Sequence, residues 1–165
     1  AGLHFNQEIF DLLKQKNITQ TFLTLNVGAG TFLPVKTTPI VDHQMHHESF
    51  MLSQETADII NLAKKEGRKV IAVGTTSLRV LEAVASMQSN LQNLVAMQGS
   101  TDIFIYPPYN FKIVDGLFTN FHLPKSTLFM LISAFVGKEN AFDIYNYAIK
   151  NNYRFYSYGD SSLLI

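Results

Sequence analysis

Cysteine is absent from the 165 residues, and so is tryptophan. Without cysteine there are no disulfides, no thiolate metal sites and no cysteine nucleophile. The absence fits a reducing, cytoplasmic setting. Net charge is absent as well, since 13 Lys and Arg balance 13 Asp and Glu. A generic nucleic-acid binder shows a basic excess or a basic stripe, so composition alone does not point to RNA. The densest basic stretch, Lys64, Lys65, Arg68 and Lys69, is diluted by Glu66 and reads as a solvated helix end. Leu128 to Val136 is apolar but far shorter than the ~20 residues a spanning helix needs. No signal peptide is visible.

What is present has a globular balance, 47% hydrophobic and 16% charged. A chain of this length forms one domain or a large piece of one, burying roughly two-thirds of its unfolded surface. It begins at Ala1, not Met, and runs at once into motif-like sequence, so a fragment of a longer protein is expected. Helical and extended patterns alternate. Asn6 is placed to cap a short helix ending near Asn17, and Ser53 one that runs to Lys65 and stops at Gly67. Further helices are expected after Gly74, from Lys125 to Phe135, and from an Asn140 cap to Lys150. Strands are expected at Gln20 to Val27, Lys69 to Val73, Asp102 to Tyr106, Val114 to Thr119, Arg154 to Tyr158 and Leu163 to Ile165. The alternation favours an α/β fold, a mixed sheet with flanking helices.

Several short segments could carry chemistry, and each has a plainer reading. Asn26-Val27-Gly28-Ala29-Gly30-Thr31 follows a strand pattern. Its glycines let backbone N–H groups approach a ligand, or they only reverse the chain. It is not the full dinucleotide fingerprint, because no third glycine opens a helix. His43, His46, His47 and Glu48 form a histidine–carboxylate cluster. It suits proton transfer, metal binding or a solvated structural role, and its spacing is not that of a helical zinc motif. Gly74-Thr75-Thr76-Ser77 stands at a strand-to-helix turn, where orphan N–H groups hold anions, or where Thr76 or Ser77 caps the helix. Arg79 and Glu82 one turn on read as an i,i+3 surface pair. Thr119-Asn120-Phe121-His122-Leu123-Pro124 sets an amide and an imidazole before a helix. Of the 13 Phe and 7 Tyr, Phe32, Tyr106, Tyr109, Phe111 and Phe121 lie near these motifs. Such rings stack on bases and attract a sulfonium, although most must be core.

Taken in order, the segments resemble one family. The blocks are Ala1-Gly2-Leu3-His4-Phe5, Val27 to Phe32 with Pro34-Val35, His43 to Glu48, Ile71 to Ser77, Phe104 to Pro107, Thr119 to Pro124 with Ser126-Thr127-Leu128, and Tyr153-Arg154-Phe155 with Gly159-Asp160. Together they are similar to the S-adenosylmethionine:tRNA ribosyltransferase-isomerases of queuosine biosynthesis, over essentially the whole chain. Two departures stand out. The family has His where this chain has Asn26, which donates a hydrogen bond but does not titrate. Family members are also about twice as long.

The resemblance implies that residues 1–165 are the C-terminal portion of a larger α/β catalytic domain. The N-terminal half and an inserted β-barrel domain would then be absent. It implies transfer and isomerisation of the ribosyl group of S-adenosylmethionine to 7-aminomethyl-7-deazaguanine at the wobble position of tRNA. Epoxyqueuosine forms, and adenine and methionine leave. S-adenosylmethionine is a co-substrate in that scheme, with no metal and no tightly bound cofactor. The partners implied are the tRNA, S-adenosylmethionine and the missing half, with no membrane. The catalytic candidates are His43 or His46 as general base, Glu48 orienting an imidazole or facing the acceptor amine, and His122 with Asn120 on adenine or a ribose hydroxyl. Gly28, Gly30 and Thr31, with Asn26, would line the co-substrate. Thr75, Thr76 and Ser77 would hold its carboxylate or a ribose oxygen, and His4 is a further candidate. Two other readings stay open: a metal-dependent hydrolase built on His43, His46 and Glu48, and a folded fragment that binds without turnover.

Overall fold

Asn6, Ser53 and Ser126 each accept a hydrogen bond from a backbone N–H three residues on, from Ile9, Thr56 and Phe129. These local caps start three of the five helices found among the described residues, which are 2–28, 43–88 and 93–165 of the computed structural model. The helices are α1 (Gln7–Gln15), α2 (Gln54–Lys65), α3 (Thr75–Met87), α4 (Thr127–Val136) and α5 (Lys138–Lys150). Gly67, at φ +69°, ends α2 as expected. Asn140 is not the cap of α5. It lies inside the first turn, and its Nδ2 donates to the Val136 carbonyl at 2.8 Å. None of these helices is long and apolar enough to cross a membrane.

The strands are β1 (Thr24–Leu25), β2 (Glu48–Leu52), β3 (Ile71–Val73), β4 (Met97–Thr101), β5 (Gly116–Asn120) and β6 (Ser161–Leu164). The expected mixed sheet is there, with β3 parallel to β5 and β6 antiparallel to β5. A second sheet accompanies it, β1-β2-β4, antiparallel throughout. In β2, Glu48, Phe50 and Leu52 point inward while Ser49 and Met51 face out, the period of a half-buried strand.

Three expected strands change. The one placed at Asp102 to Tyr106 lies a segment earlier, at β4. Thr101 Oγ1 accepts the Ile103 N–H at 3.1 Å and turns the chain out of the ladder there. Gln20 to Val27 pairs only at Thr24 and Leu25. Arg154 to Tyr158 is a turn, because Tyr156 adopts φ +71°, outside the strand region.

Helix α3 packs on β1, β3, β4 and β5, so both sheets share one core. Leu78, Leu81 and Val84 of α3 meet Phe50, Leu117, Leu131 and Ile132 in it. Because α3 is covered on nearly every side, its charged residues are buried too. Arg79 is 2% exposed and Glu82 0%, so they are not the surface pair their spacing suggested. Glu82 Oε1 accepts the N–H groups of Ile113 and Val114 at 3.0 and 3.1 Å. Its Oε2 accepts the Lys112 N–H at 2.9 Å and the Tyr109 hydroxyl at 3.3 Å. Burial first, and then the Glu82 charge, pushes the Tyr109 phenol up to about 12. On the outside, Lys64 is paired with Asp115 at 2.8 Å and Arg68 with Glu66 at 2.6 Å. These pairs answer the basic stretch as a solvated helix end.

Candidate active site

The parallel strands β3 and β5 end at the same edge of the mixed sheet, and antiparallel β6 begins there. In open α/β sheets ligands bind beyond the carboxyl ends of the strands. Three segments far apart in sequence meet at this edge. A ring nitrogen of His4, Nε2, lies 2.7 Å from the Gly159 carbonyl oxygen. Asn120 Nδ2 donates to the carbonyls of Gly159 and Asp160 at 3.4 and 3.3 Å. The His4 ring also lies edge-on to Phe118, with centroids 6.3 Å apart.

The turn that brings Gly159 to this edge is built tightly. A Cβ added at Gly159 would fall on the carbonyl oxygens of Arg154 and Phe155. The Tyr156 N–H donates to the Phe121 carbonyl at 3.1 Å, fastening the turn to the end of β5. Asp160 accepts the Arg154 N–H at 2.7 Å and pairs with its guanidinium at 3.0 Å. Chiefly through the hydrogen bond from the Arg154 side chain, the Asp160 carboxyl is held below its usual range, and the Arg154 guanidinium is raised. The resemblance marks Arg154, Phe155, Gly159 and Asp160 without giving them a role. Their part is to present Gly159 and its carbonyl to His4 and Asn120.

His122 stands just past β5. Its Nε2 lies 2.9 Å from Thr119 Oγ1, and its backbone N–H donates to the Tyr145 hydroxyl at 2.9 Å. Burial pushes the imidazole down to about 4, so it is neutral at pH 7. Burial likewise pushes the Tyr145 phenol up to about 12. A neutral imidazole suits hydrogen-bond recognition better than delivery of a proton from a cation.

At the neighbouring strand end, Gly74 takes φ +86° and opens α3 with no side-chain cap. Neither Thr76 nor Ser77 caps the helix, because the Ser77 hydroxyl donates backward to the Val73 carbonyl at 2.9 Å. The first-turn N–H groups of a helix have no partner within it. Here Thr75, Thr76 and Ser77 bring such groups to the sheet edge.

The other candidates gather at the antiparallel sheet. Asn26 is fixed to β2, its N–H on the Ser49 carbonyl and its Nδ2 on Ser49 Oγ, each at 2.8 Å. Glu48 is 1% exposed. Its Oε1 accepts the Gly28 N–H at 2.9 Å, and its Oε2 lies 2.7 Å from Arg79 Nη2. His43 packs against the Phe104 ring with centroids 5.2 Å apart, and Phe104 in turn against Tyr106. His46 is exposed, and His47 lies 3.8 Å from Asp102. No three His, Asp or Glu side chains among the described residues are grouped as metal ligands. With Glu48 turned to Arg79 and Gly28, the geometry lends the metal-hydrolase reading no support. Gly30, Thr31, Phe32, Pro34, Val35 and Pro39 lie outside the described residues.

Arg79 is the residue that sequence reasoning missed most clearly, and it joins the two clusters. It sits on the helix that starts at the mixed-sheet edge and pairs with the residue that opens β2. A signal was available. Leu78, Val80, Leu81, Ala83, Val84 and Ala85 cover most faces of α3, and a charge on such a helix must be buried.

Residues 1–164 match the family described as queuosine biosynthesis protein. The chain is 53% identical over 164 residues to the S-adenosylmethionine:tRNA ribosyltransferase-isomerase of Clostridium kluyveri, covering 99% of this chain and 47% of that protein. It is 56% identical to the Finegoldia magna enzyme of the same name, covering 99% and 47%. The crystal structure of an S-adenosylmethionine tRNA ribosyltransferase from Thermotoga maritima superposes with a TM-score of 0.82 at 38% identity. It covers 99% of this chain and 51% of the other. The chain thus spans about half the length of the relatives it matches.

Proposed function

This chain belongs to the queuosine biosynthesis protein family, and from that premise we propose that the whole protein is an S-adenosylmethionine:tRNA ribosyltransferase-isomerase. Residues 1–165 would be the C-terminal portion of its catalytic domain, completed by an N-terminal half and acting in the cytoplasm. The observation that carries this reading is the meeting of His4, Asn120 and Gly159 at the carboxyl edge of the mixed sheet. It stands beside a helix N-terminus that lacks a side-chain cap.

The reaction sets the parts that are needed. A C5′ proton beside the sulfonium must be removed. Adenine must leave and be held by hydrogen bonds. The wobble base must be splayed from a single-stranded loop into a pocket. His46, exposed just before β2, or His43 takes the proton. Neutral His122 and Asn120 hold adenine or a ribose hydroxyl, with His4 beside them. The N–H groups at Thr75 to Ser77 receive the methionine carboxylate or a ribose oxygen. Asn26, Gly28, Gly30 and Thr31 line the co-substrate.

The test is adenine release from S-adenosylmethionine in the presence of tRNA carrying the aminomethyl-deazaguanine. The whole protein releases adenine only with both substrates. His46→Ala lowers the rate by roughly 10²–10⁴-fold if His46 is the base. Near-normal turnover of that variant leaves the role to His43. No adenine from the folded whole protein contradicts the reading.

A further inference from the structure

Arg79 is almost wholly buried on α3, and its Nη2 lies 2.7 Å from Glu48 Oε2. Among the described residues none of its three guanidinium nitrogens makes a hydrogen bond of good geometry, so the contact with Glu48 is an ion pair. A buried ion pair is by itself a poor stabilising device, because desolvation offsets the attraction of the pair. Its position gives it another use. Arg79 lies one turn inside the helix that Gly74 opens at the edge of the mixed sheet. Glu48 opens β2 directly after His43, His46 and His47. The other oxygen of Glu48 holds the Gly28 N–H at 2.9 Å, where the glycine segment leaves β1.

One ion pair therefore ties together three segments that carry the candidate groups. They are the start of α3, the histidine segment and the entry to the glycine segment. We propose that Arg79 is a positioning residue. It holds the Glu48 carboxylate so that Gly28 and the histidine segment keep a fixed register against the N-terminal turn of α3. The inference rests on the proposed ribosyl transfer for its kinetic readout but not for its structural one. Arg79 acts through Glu48 and does not touch the substrate. Glu48 is then a holder of the glycine segment.

Arg79→Lys separates this role from a merely structural one. Lysine keeps the charge but presents a single flexible ammonium in place of the planar fork. In the whole protein, kcat for adenine release falls by about tenfold or more while KM for S-adenosylmethionine stays within about threefold, because misplacement and not lost binding is the defect. In the 165-residue chain, amide exchange at Gly28, followed by NMR, becomes at least ~10-fold faster as Glu48 loses its fixed position. Arg79→Met with Glu48→Leu removes both buried charges. It gives a folded chain with an undiminished midpoint of thermal unfolding but the same loss of kcat.

Parent values of kcat and of Gly28 exchange in Arg79→Lys overturn the proposal. So does a raised KM with unchanged kcat, which makes Arg79 a substrate ligand. A folded double variant with parent kcat reduces the pair to scaffolding and also overturns it. If the double variant does not fold, Arg79→Lys alone decides. If the parent protein releases no adenine, the functional reading fails, and the exchange rate at Gly28 still decides the positioning role.

Discussion

Glu82→Ala is expected to lower the stability of the chain by about 4 kcal/mol, near the upper end for a single substitution. The carboxylate is fully buried and accepts three consecutive backbone N–H groups, from Lys112, Ile113 and Val114, together with the Tyr109 hydroxyl. Alanine leaves those donors without their acceptor in the core, at roughly 1–3 kcal/mol for each group that finds no water. It also opens a void beside Tyr109. Glu82→Gln keeps one acceptor oxygen and turns an NH₂ toward the remaining donors, so about half the loss is expected. Urea denaturation at neutral pH measures both. A loss below about 1 kcal/mol for Glu82→Ala would show that segment 109–114 finds other acceptors.

Acidification from pH 7 to pH 4 is expected to remove stability through His122, on the order of 3 kcal/mol by pH 4 and below. The imidazole falls from 6.5 in the unfolded chain to about 4 in the folded one because it is buried. The unfolded chain therefore binds the proton first. His122 contributes its full share of stability above pH 6.5. That share declines as the pH falls and is lost by about pH 4. His122→Asn removes the titrating group, so the fall in stability between pH 7 and pH 4 is smaller in this variant than in the parent. Denaturation midpoints across that range check the difference. Equal slopes for parent and variant would mean that His122 is solvated and titrates near its ordinary value. Asp160 acts in the same direction at lower pH. Its depressed carboxyl supports the 154–160 turn at neutral pH, and that support is lost in acid.

The parts of the fold legible in the sequence are those set by near neighbours. Asn6 and Ser53 cap helices because their oxygens need only reach an N–H three residues on, and Gly67 stops a helix by its own backbone freedom. The strand β4 was not legible. Met97 to Thr101 includes Gly99 and little β-branched residue content, and it is extended because the distant strand β2 pairs with it, Glu48 with Thr101 through Leu52 with Met97. The turn at Tyr156 hides for the same reason. Gly159 and Asp160 signal a turn, but the left-handed tyrosine three residues before Gly159 is fixed by the distant Phe121 carbonyl, which accepts the Tyr156 N–H, and no local signal places it there.

For the site, the order of motifs marked most of the positions, but not their division into two clusters. His4, Thr75 to Ser77, Asn120 and His122 belong to the mixed-sheet edge, whereas Asn26, Gly28, His43, His46 and Glu48 belong to the antiparallel sheet. The spacing rule for Arg79 and Glu82 misled because it presumes a solvated helix face, and α3 has almost none. The partner of Arg79 lies 31 positions earlier, at Glu48.

The central claim is that the carboxyl edge of the mixed sheet holds the adenosyl group of S-adenosylmethionine. Photolabelling of the whole protein with 8-azido-S-adenosylmethionine, followed by peptide mapping, tests it most directly. The account predicts label in segments 2–5, 74–77, 118–123 and 156–161, suppressed by excess S-adenosylmethionine. Competable label confined to other parts of the protein, such as the groove lined by Phe10, Lys14 and Ile18 along α1, would contradict it.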